Sequence, residues 1–313
     1  MKYVLLIGGV ILWSAWALAA GPDVAAALAT EAPAVAWWIW PIGLFGFCLA
    51  LGVLATLGGI GGGVLFVPLL AGFFPFHLDF VRGAGLLAAL AGALSASPAL
   101  LKAGLVNLRL TLLPALIASV TAIVGAMVGL ILPPQVINLS MGLTILGIVV
   151  LMLRARKSAY PVVTQPDALT RWMDIHGVYH EPRLGRDIHW RVHRMPLGLV
   201  LFSGVGFLAG LFGLGAGWAN VPVLNLVLGA PLKVAVASSL FIIVVSNSTA
   251  AWVYLHNGAV LPFLAVPSIL GMMLGARLGA VLLKRQQPAL IRKIVIGLLL
   301  VAGGRALLRG LGI

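Results

Sequence analysis

A chain of 313 residues that is 62% hydrophobic and only 9% charged cannot present an ordinary soluble surface, for which about a quarter of the residues are charged. The net charge of +13 does not point to nucleic acid, because the basic residues fall between apolar blocks, where they act as topology signals and contacts for anionic lipid. The 39 glycines and 18 prolines would disrupt a soluble helical core but are tolerated in membrane helices, so the expected fold class is an all-α polytopic membrane protein.

In chain order, residues 3–20 form an apolar run behind Lys2. It reads as a retained N-terminal transmembrane helix, with a signal peptide ending near Ala17-Leu18-Ala19 as the alternative. A first repeat over 37–153 comprises a span at 37–57, a glycine-rich break, a short segment at 63–74, and spans at 80–101, 110–131 and 136–153. A hydrophilic stretch over 154–194 follows. The second repeat, 195–313, has a span at 196–212, another glycine-rich break, a short segment at 218–229, and spans at 234–255, 261–283 and 289–308. The single cysteine, Cys48, excludes an internal disulfide and is expected to pack inertly.

The 154–194 stretch carries Arg154, Arg156, Lys157, Arg171, Arg183, Arg186, Arg191 and Arg194, so it is expected in the cytoplasm, with the spans in the cell inner membrane. Counting spans then puts Lys102, Arg109, Lys233, Lys284, Arg285, Arg292 and Lys293 on the same side, and Asp23, Glu31, His77, Asp79, Arg82 and His256 opposite. Arg305 and Arg309 depart from this pattern. The pairs His176/His180 and His189/His193 have spacing that would suit a metal on a helix. However, Ile188, Trp190 and Val192 alternate with Asp187, His189 and Arg191, and the stretch from Pro182 to Gly185 supplies a turn, which predicts a β-hairpin. On a strand, residues four apart stand about 13 Å from one another, too far to share an ion, so neither a metal nor a cofactor is expected.

The two halves match at a constant offset of 154 residues. Gly59-Ile60-Gly61-Gly62-Gly63 falls on Gly213-Leu214-Gly215-Ala216-Gly217, Pro68 on Pro222, and Gly104-Leu105-Val106 on Gly258-Ala259-Val260. In the following span the match shifts, with Gly125-Ala126 and Gly129 on Gly275-Ala276 and Gly279. The charge pattern makes the halves inverted copies, an arrangement in which secondary transporters place a substrate at the midplane where interrupted helices meet. Helices restarting at Gly63 and Gly217 would offer unpaired N–H groups and a positive dipole end, which suit a small anion. The alternative is close helix packing through small residues.

At these residues the sequence resembles the TauE/SafE family of sulfite exporter-like permeases. The likeness rests on Gly59 to Gly63 with Val67-Pro68-Leu69, on Gly213 to Gly217 with Val221-Pro222-Val223, on Ala237-Ser238-Ser239-Leu240 and on Gly258-Ala259-Val260, and spans about 40–308. It implies transport of a small, often sulfur-containing anion such as sulfite or an organosulfonate. The chain departs from the symmetric pattern where Ser238 and Ser239 answer to Ala84 and Gly85, and at Ala216 and Trp218.

Polar side chains inside a bilayer are costly and mark function by default. Ser238, Ser239, Ser246, Asn247, Ser248 and Thr249 form the densest group, with Ser95 and Ser97 as weaker counterparts. Ser238, Ser239 and Asn247 are the candidate anion ligands, together with Gly59, Gly61, Gly62, Gly63, Gly213, Gly215, Gly217, Trp218 and Asn220. Hydrogen bonding between helices, or back to the i−4 carbonyl, is the competing role for the hydroxyls. Arg82 and Lys233 would draw anions to opposite mouths of a pathway, or else anchor helix ends at the interface, as Arg277 would. No Asp or Glu lies within a predicted membrane core. A coupling proton would therefore travel on the substrate or through His77, Asp79 or His256, and a uniporter or gradient-driven exporter fits equally. No nucleophile–base–orienter set is present, so an enzyme is not expected. The expected partners are a small anion and the bilayer, a homo-oligomer is compatible with the sequence, and the alternative function is a non-transporting scaffold or assembly factor.

Overall fold

The computed structural model describes residues 38–58, 62–74, 76–102, 104–154, 167–181, 185–282 and 288–312. The N-terminal segment expected as a helix over 3–20, and Gly59 and Gly61 of the first break, lie outside them. The first half comprises α1 (Ile39–Gly58), the short α2 (Gly63–Phe73), α3 (Leu78–Lys102), α4 (Leu108–Ile131) and α5 (Pro134–Arg154). Between the halves come α6 (Ala168–Trp172) and the antiparallel strands β1 (His176–Glu181) and β2 (Arg186–Arg191). The second half comprises α7 (Met195–Phe212), α8 (Gly217–Pro222) running into a π-helical turn (Val223–Val227), α9 (Leu232–His256), α10 (Pro262–Leu282) and α11 (Pro288–Gly310). Among the described residues, α1, α3, α4, α5, α7, α9 and α10 are long and apolar enough to cross a bilayer. The chain is a polytopic α-helical membrane protein. α11 is as long, but it carries Arg292, Lys293, Arg305 and Arg309.

The repeat reaches down to element boundaries. The starts of α2 and α8, α3 and α9, α4 and α10, and α5 and α11 are each 154 residues apart, as are the ends of α1 and α7. α3 and α9 also end in the same way. Gly104 N–H donates to Leu101 O and Leu105 N–H to Leu100 O; Gly258 N–H donates to Leu255 O and Ala259 N–H to Tyr254 O. Both glycines sit in the left-handed region (φ 67° and 66°), which makes each turn a Schellman cap whose amides satisfy carbonyls that the helix end would orphan.

Packing follows the same exchange. α1 lies on α10 as α7 lies on α4, and α3 lies on α10 as α9 lies on α4. Gly271 faces Phe45 and Cys48 while Gly279 faces Val53 and Thr56, so α1 and α10 run parallel. Gly206 faces Ala118 and Gly210 faces Ala122, so α4 and α7 do too. Helices holding equivalent places run antiparallel. Gly83, near the start of α3, meets Ala259 and Val260 beyond the end of α9, and Gly142 of α5 meets Leu307 of α11 while Gly310 meets Leu139. The contacts also correct the shifted match in the fourth span. Gly52 would clash with Met272 as Gly206 would with Ala118, and Gly279 with Val53 as Gly125 would with Phe207. Each pair of equivalents is again 154 apart, so Gly125 answers to Gly279 and Thr121 to Gly275. The shift followed from aligning small residues by identity, whereas the packed surface holds one register.

The main apolar core joins α1, α2, α3, α5, α10 and α11, with Cys48 fully buried in it. A second cluster joins Tyr179, Trp190 and Val192 of the hairpin region to Leu110, Phe202, Leu224, Leu228 and Ile242, so the hairpin lies over the adjoining ends of α4, α7, α9 and the π turn. The expected alternation is present. Trp190 and Val192 are buried while Asp187, His189 and Arg191 are exposed, and the register pairs Gly177 with Trp190, whose ring lies over the glycine. Three polar contacts tie this region down. Asn107 caps α4 by accepting from Leu110 N–H and donates to His176 O (3.0 Å), Arg109 pairs with Asp174 (2.9 Å), and His193 N–H donates to Leu228 O (3.0 Å).

Arg305 and Arg309, which depart from the charge pattern, point to the end of α2. Arg305 Nε donates to Gly72 O and lies over the Phe73 ring (4.7 Å), while Arg309 Nη1 donates to Ala71 O. Two cations thus meet the carbonyls and negative dipole end that an eleven-residue helix leaves bare. Their position is set by this capping.

Candidate functional site

The two glycine-rich breaks meet. Gly63, which opens α2, packs so closely on Leu214 that a Cβ at 63 would overlap the Leu214 carbonyl. Ala89, near the middle of α3, touches both breaks: its methyl would lie 3.2 Å from a Cβ on Gly63 and 3.2 Å from one on Gly215. α7 ends through Gly213, with φ of 69°, and Gly215 follows with φ of 71°, two left-handed residues that turn the chain into α8. Gly213 lies on the Arg82 backbone, Gly85 on the Gly213 carbonyl, and Gly62 under the thioether of Met272. Gly217 is buried as the first residue of α8. Gly63, Gly85 and Gly213 therefore lie against neighbouring backbone and Gly62 against the Met272 side chain, whereas Gly215 faces a polar side chain, Asn247, whose Nδ2 would stand 3.0 Å from a Cβ there.

At this junction and further along α8 and α9 lie polar atoms with no protein partner. Asn247 Oδ1 and Nδ2, Asn220 Oδ1 and Nδ2, Ser238 Oγ and Trp218 Nε1 are all buried and make no hydrogen bond. Leaving such a group unpaired costs about 1–3 kcal/mol, so native proteins rarely tolerate one without a ligand, water or ion to meet it. All four residues belong to the second half, on α8 and α9, which pack together. Trp218 and Asn220 occupy the first turn of α8, just beyond Gly215, and Trp218 rests on an apolar patch of Ala93, Ala216, Ala219 and Ile243. The equivalent positions of the first half hold Val64, Phe66, Ala84 and Ala93, all buried and apolar. The halves differ here: the second carries polar side chains where the first carries buried apolar ones.

The candidates do not all share one face. Ser238 and Asn247 are nine residues apart, which on an α-helix is about 180° round and about 13 Å along. Ser238 falls in line with Val234, Ala235 and Ile242, on the side of α9 that meets the second cluster, while Asn247 turns to the breaks. Ser239 is buried and lies about 80° round α9 from Asn247. The remaining hydroxyls are satisfied: Ser246 donates to Ile242 O, Ser248 to Val245 O, Thr249 to Ser246 O, and Ser97 to Ala93 O. Ser95 and Thr249 also reach across to neighbouring helices, to Met273 O (3.1 Å) and Ser119 O (3.4 Å), a pair of bonds related by the repeat.

Arg82 lies directly against Gly213 and is fully buried, with both Nη groups engaged and its Nε without a partner. Its Nη1 donates to Asp79 (2.7 Å) and Gly129 O (3.1 Å), its Nη2 to Leu211 O, and its guanidinium lies 5.2 Å from the centre of the Tyr254 ring. Tyr254 in turn donates to Gly210 O (3.0 Å). The arginine thus braces the C-terminal ends of α4 and α7 from α3, neutralising carbonyls where both helix dipoles are negative. It also borders an open cleft of about 280 Å³ with His77, Asp79 and Ile137. The sequence reading missed Tyr254 and Ala89, whose types carry no special signal. The offset could have found Ala93 as the apolar counterpart of Asn247.

Residues 42–306 match the family described as sulfite exporter TauE/SafE. A Bacillus subtilis (strain 168) relative, "Probable membrane transporter protein YunE", is 27% identical over 271 residues, covering 84% of this chain and 96% of the relative. No solved structure matches the chain.

Proposed function

This chain belongs to the sulfite exporter TauE/SafE family, and from that premise we propose that it is a secondary transporter of a small sulfur-containing anion such as sulfite or an organosulfonate. The observation that carries the reading is the buried, unpaired amide of Asn247 against Gly215 where the two breaks meet, with unpaired donors on Trp218 and Asn220 in the first turn of α8 that follows. Neutral N–H and O–H donors hold an oxyanion without the full charge that would keep it from leaving. Asn247, Asn220 and Trp218 form the central contacts, and Ser238, displaced along α9, marks the path to the loop side. Two inverted repeats alternate access to this centre by rocking against each other, a reading supported by the antiparallel run of α3 on α9 and of α5 on α11. The basic loop faces the cytoplasm from the inner membrane. No bond in the substrate is made or broken.

The test is flux in proteoliposomes. The wild type should move sulfite or a simple sulfonate at a saturable rate, and Asn247→Leu should abolish that flux while its elution profile stays normal and its melting temperature is no lower than wild type. Undiminished flux through the variant would remove Asn247 from the pathway and with it the proposed centre.

A further inference from the structure

We propose that the connecting loop and the outward face of α4 together form a binding site for an anionic phospholipid. α4 turns an apolar stripe to the bilayer: Leu108, Leu112, Leu116, Val120, Val124 and Ile131 are all exposed in a helix that spans it. At its N-terminal end this stripe enters a groove of about 360 Å³ between Leu112, Leu113 and Leu116 on one side and Trp172 and Met173 on the other, with Arg109 at the rim. Trp172 is 82% exposed, a position that suits an indole at the level of lipid headgroups. Immediately beyond residues 172–173 is a second cleft of about 270 Å³, lined by Thr170, Arg171, Asp174, Ile175, His176 and Arg191.

Charge decides the occupant. The carboxylate in this cleft, Asp174, is already engaged by Arg109 (2.9 Å) and His176 (3.0 Å), whereas the guanidinium groups of Arg171 and Arg191 have no acceptor among the described residues. A ligand that answers both clefts carries a phosphate with net negative charge and an acyl chain joined to it, so the phosphate meets Arg171 and Arg191 while the chain lies along Leu112 and Leu116. A free phosphate would leave the groove empty, and a zwitterionic lipid would bring its own cation to the arginines. Because the same loop packs by Tyr179, Trp190 and Val192 over the π turn and the start of α9, a lipid seated there holds the loop against the helices that carry the anion site.

Native mass spectrometry of the full chain in detergent, with phosphatidylglycerol and phosphatidylcholine added in equal amounts, tests this. Phosphatidylglycerol should be retained preferentially. Arg171→Gln with Arg191→Gln should weaken its retention roughly 30-fold, about fivefold for each arginine near an anionic headgroup, whereas Arg171→Lys with Arg191→Lys keeps most of it. Trp172→Ala, at an exposed position that folding does not need, should weaken retention of both lipids. Millimolar inorganic phosphate should not displace the lipid. Equal retention of the two lipids, unchanged retention in the glutamine variant, or displacement by phosphate would each overturn the proposal.

Discussion

Asn247 and Arg82 show how differently two buried polar residues can be used. Both amide atoms of Asn247 lack protein partners, so the fold bears their desolvation. Replacing the residue with leucine, of similar volume, removes that burden. Asn247→Leu should therefore melt no lower than wild type in the absence of ligand, and up to about 1–3 kcal/mol more stably, and a markedly lower melting temperature would show that the amide is doing structural work. Arg82 is the reverse case, with Asp79 and two helix-end carbonyls depending on it. Arg82→Met should lose about 3–5 kcal/mol in a thermal or chemical unfolding series, because it strands a carboxylate and two carbonyls. Arg82→Lys should recover little, since one ammonium cannot reach the three acceptors that the planar guanidinium spans.

At the scale of elements, the matched caps of α3 and α9 allow a controlled comparison. Gly104 and Gly258 share nearly the same positive φ, and in both cases a Cβ would meet open space. Substituting alanine should therefore cost only the left-handed backbone penalty, about 1–2 kcal/mol at each position, and equal losses in unfolding measurements would check it. Gly63→Ala tests the opposite situation, where the added methyl meets the Leu214 carbonyl and the two breaks must separate. The loop has its own handle in Asp167, which accepts from Thr170 Oγ1 and from Met195 N–H at the start of α7. Burial works to raise this carboxyl, but these hydrogen bonds outweigh it and hold the group below its ordinary value. A lowered folded-state pKa means that the contribution is complete above the ordinary carboxylate range and is lost as pH falls through the folded value. Asp167→Asn should flatten that acid-side loss of loop protection, measured by hydrogen exchange.

For the whole molecule, the span limits were legible because a bilayer leaves one solution for a long apolar run, and the residues between runs are too few to misplace. The offset of 154 was legible because glycines that must turn or be packed on cannot be exchanged freely, as at Gly213 and Gly258. What the sequence hid was geometry between helices. Ser238, Ser239 and Asn247 look like one polar patch in the chain, yet α9 turns Ser238 and Asn247 to opposite sides. Likewise Arg82 reads as a cation at the mouth of a pathway or an anchor at the interface, and only the approach of α4 and α7 shows its Nη groups engaged at their ends. Asn220, Ser238 and Asn247 stand out in the chain as polar residues in apolar segments, and in the fold each, like Trp218, has a buried atom without a partner.

The claim that these groups await a small anion is tested most directly by melting the detergent-purified protein against sulfite, sulfate, thiosulfate, sulfoacetate, taurine, acetate and phosphate, beside Asn247→Leu. A sulfur oxyanion or sulfonate should raise the wild-type midpoint, by about 2.7 kcal/mol of stability at 100 times its dissociation constant, and leave the variant unmoved. A wild type indifferent to every sulfur anion in detergent and in nanodiscs, or a shift that survives in the variant, would contradict the account.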